Sequence, residues 1–181
     1  MEFAALLHCS LPCEHLKTNR YEKGPFLDRD GVINHDPGDY TYALEEFILL
    51  PNALNAMKYA QDLGYEIVIV TNQAGVSKGL YSKQEVDRIH AFLRSECAKK
   101  EIEIRDIYYS VHHPDICNSI SRKPHGLWVE RACAKYGYDK NHSFMIGDRE
   151  RDVQCAETAG VKGFQMEKNG DLLQYVKNLC K

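Results

Sequence analysis

The chain has 181 residues, 44% of them hydrophobic and 27% charged, which is the balance of one ordinary globular domain able to bury a real core. A net charge of −3 and a pI near 6.2 give no basic field for nucleic acid and no polybasic patch for a membrane surface. Seven cysteines (Cys9, Cys13, Cys97, Cys117, Cys133, Cys155 and Cys180), odd in number and irregular in spacing, read as free thiols in a reducing compartment rather than a disulfide framework. No run approaches the about 18 apolar residues of a membrane span. Phe3 to Leu7 lacks the basic start and small-residue cleavage site of a signal peptide, so the expected location is cytoplasmic.

Residues 1 to 24 show no period and read as an irregular leader to a single domain over 25–181. Phe26-Leu27 then leads into Asp28 as a short strand. Leu54, Met57, Ala60 and Leu63 recur at helical spacing, and Gly64 supplies a stop. The β-branched run Tyr65 to Val70 reads as a buried strand. Ser82 and Glu85 have capping-box spacing ahead of a helix lined by Val86, Ile89, Leu93 and Cys97. Ile104 to Val111 is the next strand, and Trp128, Ala132 and Tyr136 mark the next helix. Ser143 to Ile146 is a short strand and Asp152 to Ala159 a short helix. Val161 to Met166 is the last strand, before a closing helix over Leu172 to Leu179. Strands alternating with helices predict a doubly wound, mainly parallel α/β sheet with helices on both faces. The ligand site of such a sheet lies at the carboxyl ends of its strands.

Polar residues gather at four of those ends. Asp28 and Asp30 flank Arg29 before Gly31, which lets the chain turn sharply. Thr71-Asn72-Gln73-Ala74-Gly75 offers a hydroxyl, an amide and backbone N–H groups that suit phosphate oxygens. Arg122-Lys123 places two cations before a helix, where they suit a phosphate dianion. Asp148 and Asp152 at i and i+4 would share a helix face and suit a hard cation such as Mg2+. Each cluster alone also reads as an ordinary polar turn, a helix cap or a solvated basic pair. Brought to one sheet edge, they are the parts phosphoryl transfer requires.

The ordered set Asp28-x-Asp30, Thr71, Lys123 and Gly147-Asp148-x3-Asp152 resembles the four motifs of the haloacid dehalogenase (HAD) superfamily. Three stretches are similar to its heptose bisphosphate phosphatase and histidinol-phosphatase branch: Leu27 to Asn34, Thr71 to Val76 with Gly79, and Tyr108-Tyr109-x-x-His112-His113-Pro114. The triplet Arg122-Lys123-Pro124 fits the same branch. The resemblance runs from about residue 26 to 166. It implies a three-layer, Rossmann-like HAD fold and a phosphatase acting through an aspartyl-phosphate on Asp28. Asp30 would serve as acid and base, and Thr71 and Lys123 would hold the phosphoryl oxygens. Mg2+ would be held by Asp28, the Asp30 backbone carbonyl and Asp148, with Asp152 in support. Asn72, Arg122 and Lys78 would contact the substrate. The gaps between Asp28 and Thr71 and between Thr71 and Lys123 are too short for a cap domain, which leaves the loops near 34–42 and 111–121 to shape substrate choice. The expected substrate is D-glycero-D-manno-heptose 1,7-bisphosphate, cut at the 7-position. The alternatives are histidinol phosphate and, in another class, a catalytically quiet phosphate-binding homologue.

Two departures stand out. Many members of the branch hold a structural zinc with Cys-x-His and Cys-x-Cys, and the matching positions here are Ser110, His112, Ser119 and Ser121. Hydroxyls are poor zinc ligands, so no zinc is expected. The segment before Asp28 is Tyr21-Glu22-Lys23-Gly24-Pro25, where the family has an apolar strand, and Pro25 has no N–H for a central ladder.

Overall fold

The computed structural model of the protein describes residues 22–180. Five parallel strands form one sheet: β1 (Pro25–Leu27), β2 (Ile67–Asn72), β3 (Ile104–Ser110), β4 (Phe144–Gly147) and β5 (Lys162–Gln165). Five helices connect and close them: α1 (Ala53–Asp62), α2 (Lys83–Ala98), α3 (Leu127–Tyr136), α4 (Glu150–Thr158) and α5 (Leu172–Leu179). The strand order is β3-β2-β1-β4-β5, so the winding reverses between β1 and β4. That reversal opens the crevice in which doubly wound sheets hold ligands.

Alternate strand residues feed two cores. Leu27, Ile67, Ile69, Phe144 and Ile146 pack with α1, α2 and α5 on one face. Phe26, Val68, Val70 and Met145 pack with α3 and α4 on the other. This two-residue alternation between two apolar layers is why the inner strands read as unbroken hydrophobic runs. Only one helix and a short 3-10 turn (Leu44–Glu46) lie between β1 and β2, and only α2 between β2 and β3, so the fold is capless as expected. Ser82 and Glu85 form the capping box that starts α2.

The proline before the first cluster is accommodated rather than avoided. β1 is three residues long and Pro25 is its first, the strand position at which a missing N–H disturbs the ladder least. The bonds lie on either side of it: Phe144 N–H donates to Gly24 O at 3.2 Å and Asp28 N–H to Ile146 O at 3.0 Å. Asp28 is thus held to β4 by its own backbone. Glu22 and Lys23, part of the expected leader, bridge to Tyr138 and Tyr65. Residues 1–21 of that leader lie outside the described residues.

Candidate active site

Asp28 follows β1, Asp148 follows β4 and Thr71 is the last residue but one of β2, so three clusters meet at strand ends. Arg122-Lys123, expected at a fourth, instead lies well past the end of β3 at Ser110, in the loop before α3 that carries Lys123 to Asp28. Lys123 is fully buried, with Nζ 2.8 Å from Asp28 Oδ1 and 2.7 Å from Asp152 Oδ1. It also donates to Val70 O at 2.8 Å. Asp28 Oδ1 accepts a second bond, from Arg29 N–H at 2.7 Å, so both recorded bonds fall on one oxygen. The other oxygen of the carboxylate is the one left for an electrophile. Burial pushes Asp28 up to about 6 against the pull of Lys123, with Asp152 adding to the rise. Burial works against the Lys123 ammonium, but Asp152 and Asp28 outweigh it and hold its pKa above the ordinary value.

Asp148 and Asp152 do not share a helix face as expected. α4 begins at Glu150, so Asp148 sits in the turn before it and Asp152 in the first turn. The turn still converges the carboxylates, because Asp28, Asp148 and Asp152 each place an oxygen within 4.8 Å of the others. Two glycines make this possible. A side chain on Gly147 would meet Asp152 Cβ at 2.1 Å, and one on Gly31 (φ +79°) would meet Asp148 Oδ2 at 2.7 Å. Both Asp148 oxygens are buried and accept no hydrogen bond. Burial, then Asp152, raises the Asp148 pKa. Three buried carboxylates face the Lys123 ammonium and, beside Asp148, the half-exposed Arg149, whose Nε lies 3.6 Å from Asp148 Oδ2, so carboxylates still outnumber cations. All-oxygen donors, a buried carboxylate with no hydrogen bond and an excess of negative charge fit a hard divalent cation. Asp152 spends one oxygen on Lys123 and the other on Arg149 N–H at 3.0 Å, which leaves Asp28 and Asp148 as the freer ligands.

Asp30 is caged by donors. Arg29 reaches it from Nε at 3.2 Å and from Nη2 at 2.9 and 3.0 Å; Asn34 Nδ2 donates at 3.0 Å and Gln73 Nε2 at 2.9 Å. Burial pushes this carboxyl up, but Arg29, Asn34 and Gln73 outweigh it and hold it below the usual range. Arg29 itself is fully buried, donating to Thr41 O at 3.2 Å and lying 3.3 Å from His90 Nε2.

A cleft of about 290 Å3 opens beside Asp30, lined by Asp36, Tyr40, Asn72, Arg122, Arg149 and Arg151 among others. Arg122 lines it, donating to His112 O at 2.9 Å. Burial, then Arg151, presses Arg122 below its ordinary range. Lys78 is exposed and does not line the cleft itself, its Nζ lying 5.6 Å from the centroid of the Tyr40 ring that does. Asn72 borders the cleft, yet its amide clasps the Lys123 backbone: Nδ2 donates to Lys123 O and Oδ1 accepts from Lys123 N–H, both at 3.1 Å. Several residues here escaped the sequence reading. Arg29 and Gln73 lie inside the quoted motifs and were the reachable ones. Asp36, which pairs with Arg149 Nη2 at 3.0 Å across the site, carries no local signal.

The zinc-site counterparts also converge. Ser119 Oγ lies 2.8 Å from Ser121 Oγ, Ser121 donates to Ser110 Oγ at 3.1 Å, and Ser110 Oγ lies 3.4 Å from His112 Nδ1. A chain of hydroxyls therefore ties the 111–121 loop to the end of β3.

A HAD-hydrolase-like family model matches residues 120–170. D-glycero-alpha-D-manno-heptose-1,7-bisphosphate 7-phosphatase of Photorhabdus laumondii is 36% identical over 154 residues, covering 82% of this chain and 84% of that protein. D-glycero-D-manno-heptose-1,7-bisphosphate 7-phosphatase of Chlorobaculum tepidum is 37% identical, covering 76% and 74%. The crystal structure of D,D-heptose 1,7-bisphosphate phosphatase from B. bronchiseptica, complexed with magnesium and phosphate, superposes with a TM-score of 0.76 at 27% identity, covering 87% of this chain and 86% of that one. Among the described residues no helix is long and apolar enough to cross a membrane.

Proposed function

The chain belongs to the D-glycero-D-manno-heptose-1,7-bisphosphate 7-phosphatase family of HAD phosphatases, and from that premise we propose that it removes the 7-phosphate of this sugar using Asp28 as nucleophile. The observation that carries the reading is Asp28 itself. Its carboxylate is buried, one oxygen is fixed by Lys123 and Arg29, and the other remains available. The names of the relatives favour the heptose bisphosphate over histidinol phosphate. The arginine-lined cleft suits a substrate carrying a second phosphate.

In the first step the Asp28 oxygen bonds to phosphorus while the bond to the sugar oxygen breaks, its electron pair leaving with that oxygen. A proton from Asp30 completes the hydroxyl of the leaving sugar. In the second step Asp30 accepts a proton from water, the water oxygen bonds to phosphorus, and the Asp28 carboxylate is released with inorganic phosphate. The donor cage around Asp30 favours its ionised form, which suits this second step. Thr71 and Lys123 would hold the phosphoryl oxygens. Mg2+, held by Asp28, the Asp30 carbonyl and Asp148, would offset the charge gathering on the phosphoryl group. The carboxylate convergence and the lack of any hydrogen bond to the buried Asp148 oxygens support that ligand set.

Phosphate release from the heptose bisphosphate and from histidinol phosphate, each with Mg2+ and with EDTA, tests the reading. The expected result is Mg2+-dependent release from the sugar with a higher kcat/KM than from histidinol phosphate, leaving the 1-phosphate on the product. The opposite preference, or release unaffected by Asp28→Asn, would overturn it.

A further inference from the structure

We propose that Gln73 is a positioning residue for this hydrolysis, with Tyr81 fixing the direction of its amide so that the hydroxyl hydrogen of Thr71 is left for the phosphoryl group. The proposal rests on the reading of Thr71 as a phosphoryl contact. Gln73 is 2% exposed and touches three groups. Its Nε2 lies 2.9 Å from Asp30 Oδ2 and 3.1 Å from Thr71 Oγ1, and its Oε1 lies 3.1 Å from the Tyr81 hydroxyl.

With Asp30 ionised, the state the water-activating step uses, the donor and acceptor pattern has one consistent solution. Arg29 clamps Asp30 as an anion, and an anionic carboxylate only accepts. The amide atom facing it must therefore be nitrogen. The oxygen then faces Tyr81, whose hydroxyl must donate. The two amide hydrogens go to Asp30 and Thr71. Thr71 Oγ1 has accepted one bond, so its own hydrogen is free for a different partner. The reversed amide would set its oxygen against the Asp30 carboxylate and leave Tyr81 facing an NH2 group.

Tyr81 is well placed to enforce the choice. Its ring is stacked on Tyr42, with centroids 5.2 Å apart and an interplanar angle of 11°, and meets the Tyr40 ring edge-on at 5.8 Å. Burial pushes its hydroxyl up to about 12, so it stays a donor at ordinary pH. One side chain thus links the acid/base group to the phosphate-holding group, while a tyrosine anchored outside both sets its polarity.

The test is a mutant cycle on Gln73→Met, Tyr81→Phe, Thr71→Val and Gln73→Met/Thr71→Val. Turnover is read on the heptose bisphosphate and on p-nitrophenyl phosphate, and affinity on vanadate. Gln73→Met is expected to lower kcat about ten- to a hundredfold with KM changed less than about threefold, because the lost bonds go to charged or reacting groups. Tyr81→Phe keeps the ring stack and should lower kcat by a smaller factor. The cost of Gln73→Met should shrink in the Thr71→Val background, since one of its two targets is already gone. A merely structural glutamine predicts the same cost in both backgrounds, with losses that follow thermal stability. That result, or wild-type kcat in Gln73→Met, would overturn the proposal. Activity on p-nitrophenyl phosphate without activity on the sugar sinks the substrate reading and still scores the cycle. With no turnover on either, weaker vanadate binding by Gln73→Met supports the positioning role, and equal binding overturns it.

Discussion

Lys123 Nζ lies 2.7 Å from Asp152 Oδ1, and their side chains are 1% and 0% exposed. A buried ion pair of this kind says little about net stability, but its rupture leaves a charge with no water to turn to. Asp152→Asn keeps the side-chain volume and removes one of the two carboxylates that hold the ammonium. We expect a loss of about 3 kcal/mol in urea unfolding in EDTA, at the low end for a broken buried pair because Asp28 still faces Lys123. Activity should fall as well, since Lys123 loses one of its fixed directions. A variant as stable as wild type would show that the pair contributes no such hold.

Asp148 should behave in the opposite way. Its two buried oxygens accept no hydrogen bond, and the half-exposed Arg149, with Nε 3.6 Å from Oδ2, is a weak counter-charge, so in the absence of metal it is a liability. Asp148→Asn is expected to leave stability in EDTA unchanged or raised, and to abolish the stabilisation by Mg2+. For wild type that stabilisation should approach about 2.7 kcal/mol at a hundredfold excess over Kd. Thermal melts of both proteins across a Mg2+ titration decide it. An undiminished Mg2+ shift in the variant would place the cation elsewhere.

Much of this site was legible because three of the four chemistry-bearing clusters follow a run of buried strand residues, Arg122-Lys123 being the one reached through a loop. Phe26-Leu27 before Asp28, Val68 to Val70 before Thr71 and Phe144 to Ile146 before Gly147-Asp148 place polar residues at strand ends by periodicity alone. What could not be read locally is pairing between distant side chains. Nothing near Tyr81 shows that its hydroxyl meets Gln73, and nothing near Asp36 shows that Arg149 will pair with it. The expected helix spacing of Asp148 and Asp152 was wrong in its route and right in its result. A glycine with no room for a side chain brings the two together, rather than a shared turn of helix. Pro25 misled in the same manner: the sequence shows a missing donor, but not the bonds at Gly24 and Asp28 on either side of it.

His90 carries a pH prediction. The Arg29 guanidinium only donates, so the imidazole Nε2 facing it at 3.3 Å must accept, and the ring is neutral. Burial, then Arg29, presses its pKa from 6.5 down to about 3. The folded value lies below the unfolded one, so as pH falls below 6.5 the unfolded chain gains a proton that the folded chain refuses. Stability is therefore lost as pH falls through that window, by about 2 kcal/mol at about pH 5. Asp28, raised to about 6, shifts stability the other way over part of the window. That contribution is common to wild type and His90→Gln and cancels in their difference. Gln keeps an acceptor for Arg29 and does not titrate. The stability advantage of wild type over His90→Gln should shrink by about 2 kcal/mol between about pH 7 and about pH 5 in urea unfolding. A constant difference would mean that the imidazole is not held neutral.

The serine cluster allows the last test. Ser119, Ser121, Ser110 and His112 are linked in that order by contacts of 2.8 to 3.4 Å, so the four side chains are already neighbours. What they plainly lack for zinc is thiolate chemistry, because hydroxyls stay protonated and bind Zn2+ poorly. Replacing the three serines by cysteine should create a Cys3His site that takes up one Zn2+ per chain with tetrahedral geometry. Loading should protect the 111–121 loop from proteolysis, since the metal would replace a chain of hydroxyl bonds worth about 1 kcal/mol each. Co2+ substitution gives the readout, as thiolate-to-cobalt charge-transfer bands and ligand-field bands of tetrahedral intensity. Adding His112→Ala should weaken binding and shift those bands. A triple variant that binds no metal, or that binds it equally well without His112, would mean the loop is held apart from β3 more firmly than these hydrogen bonds imply.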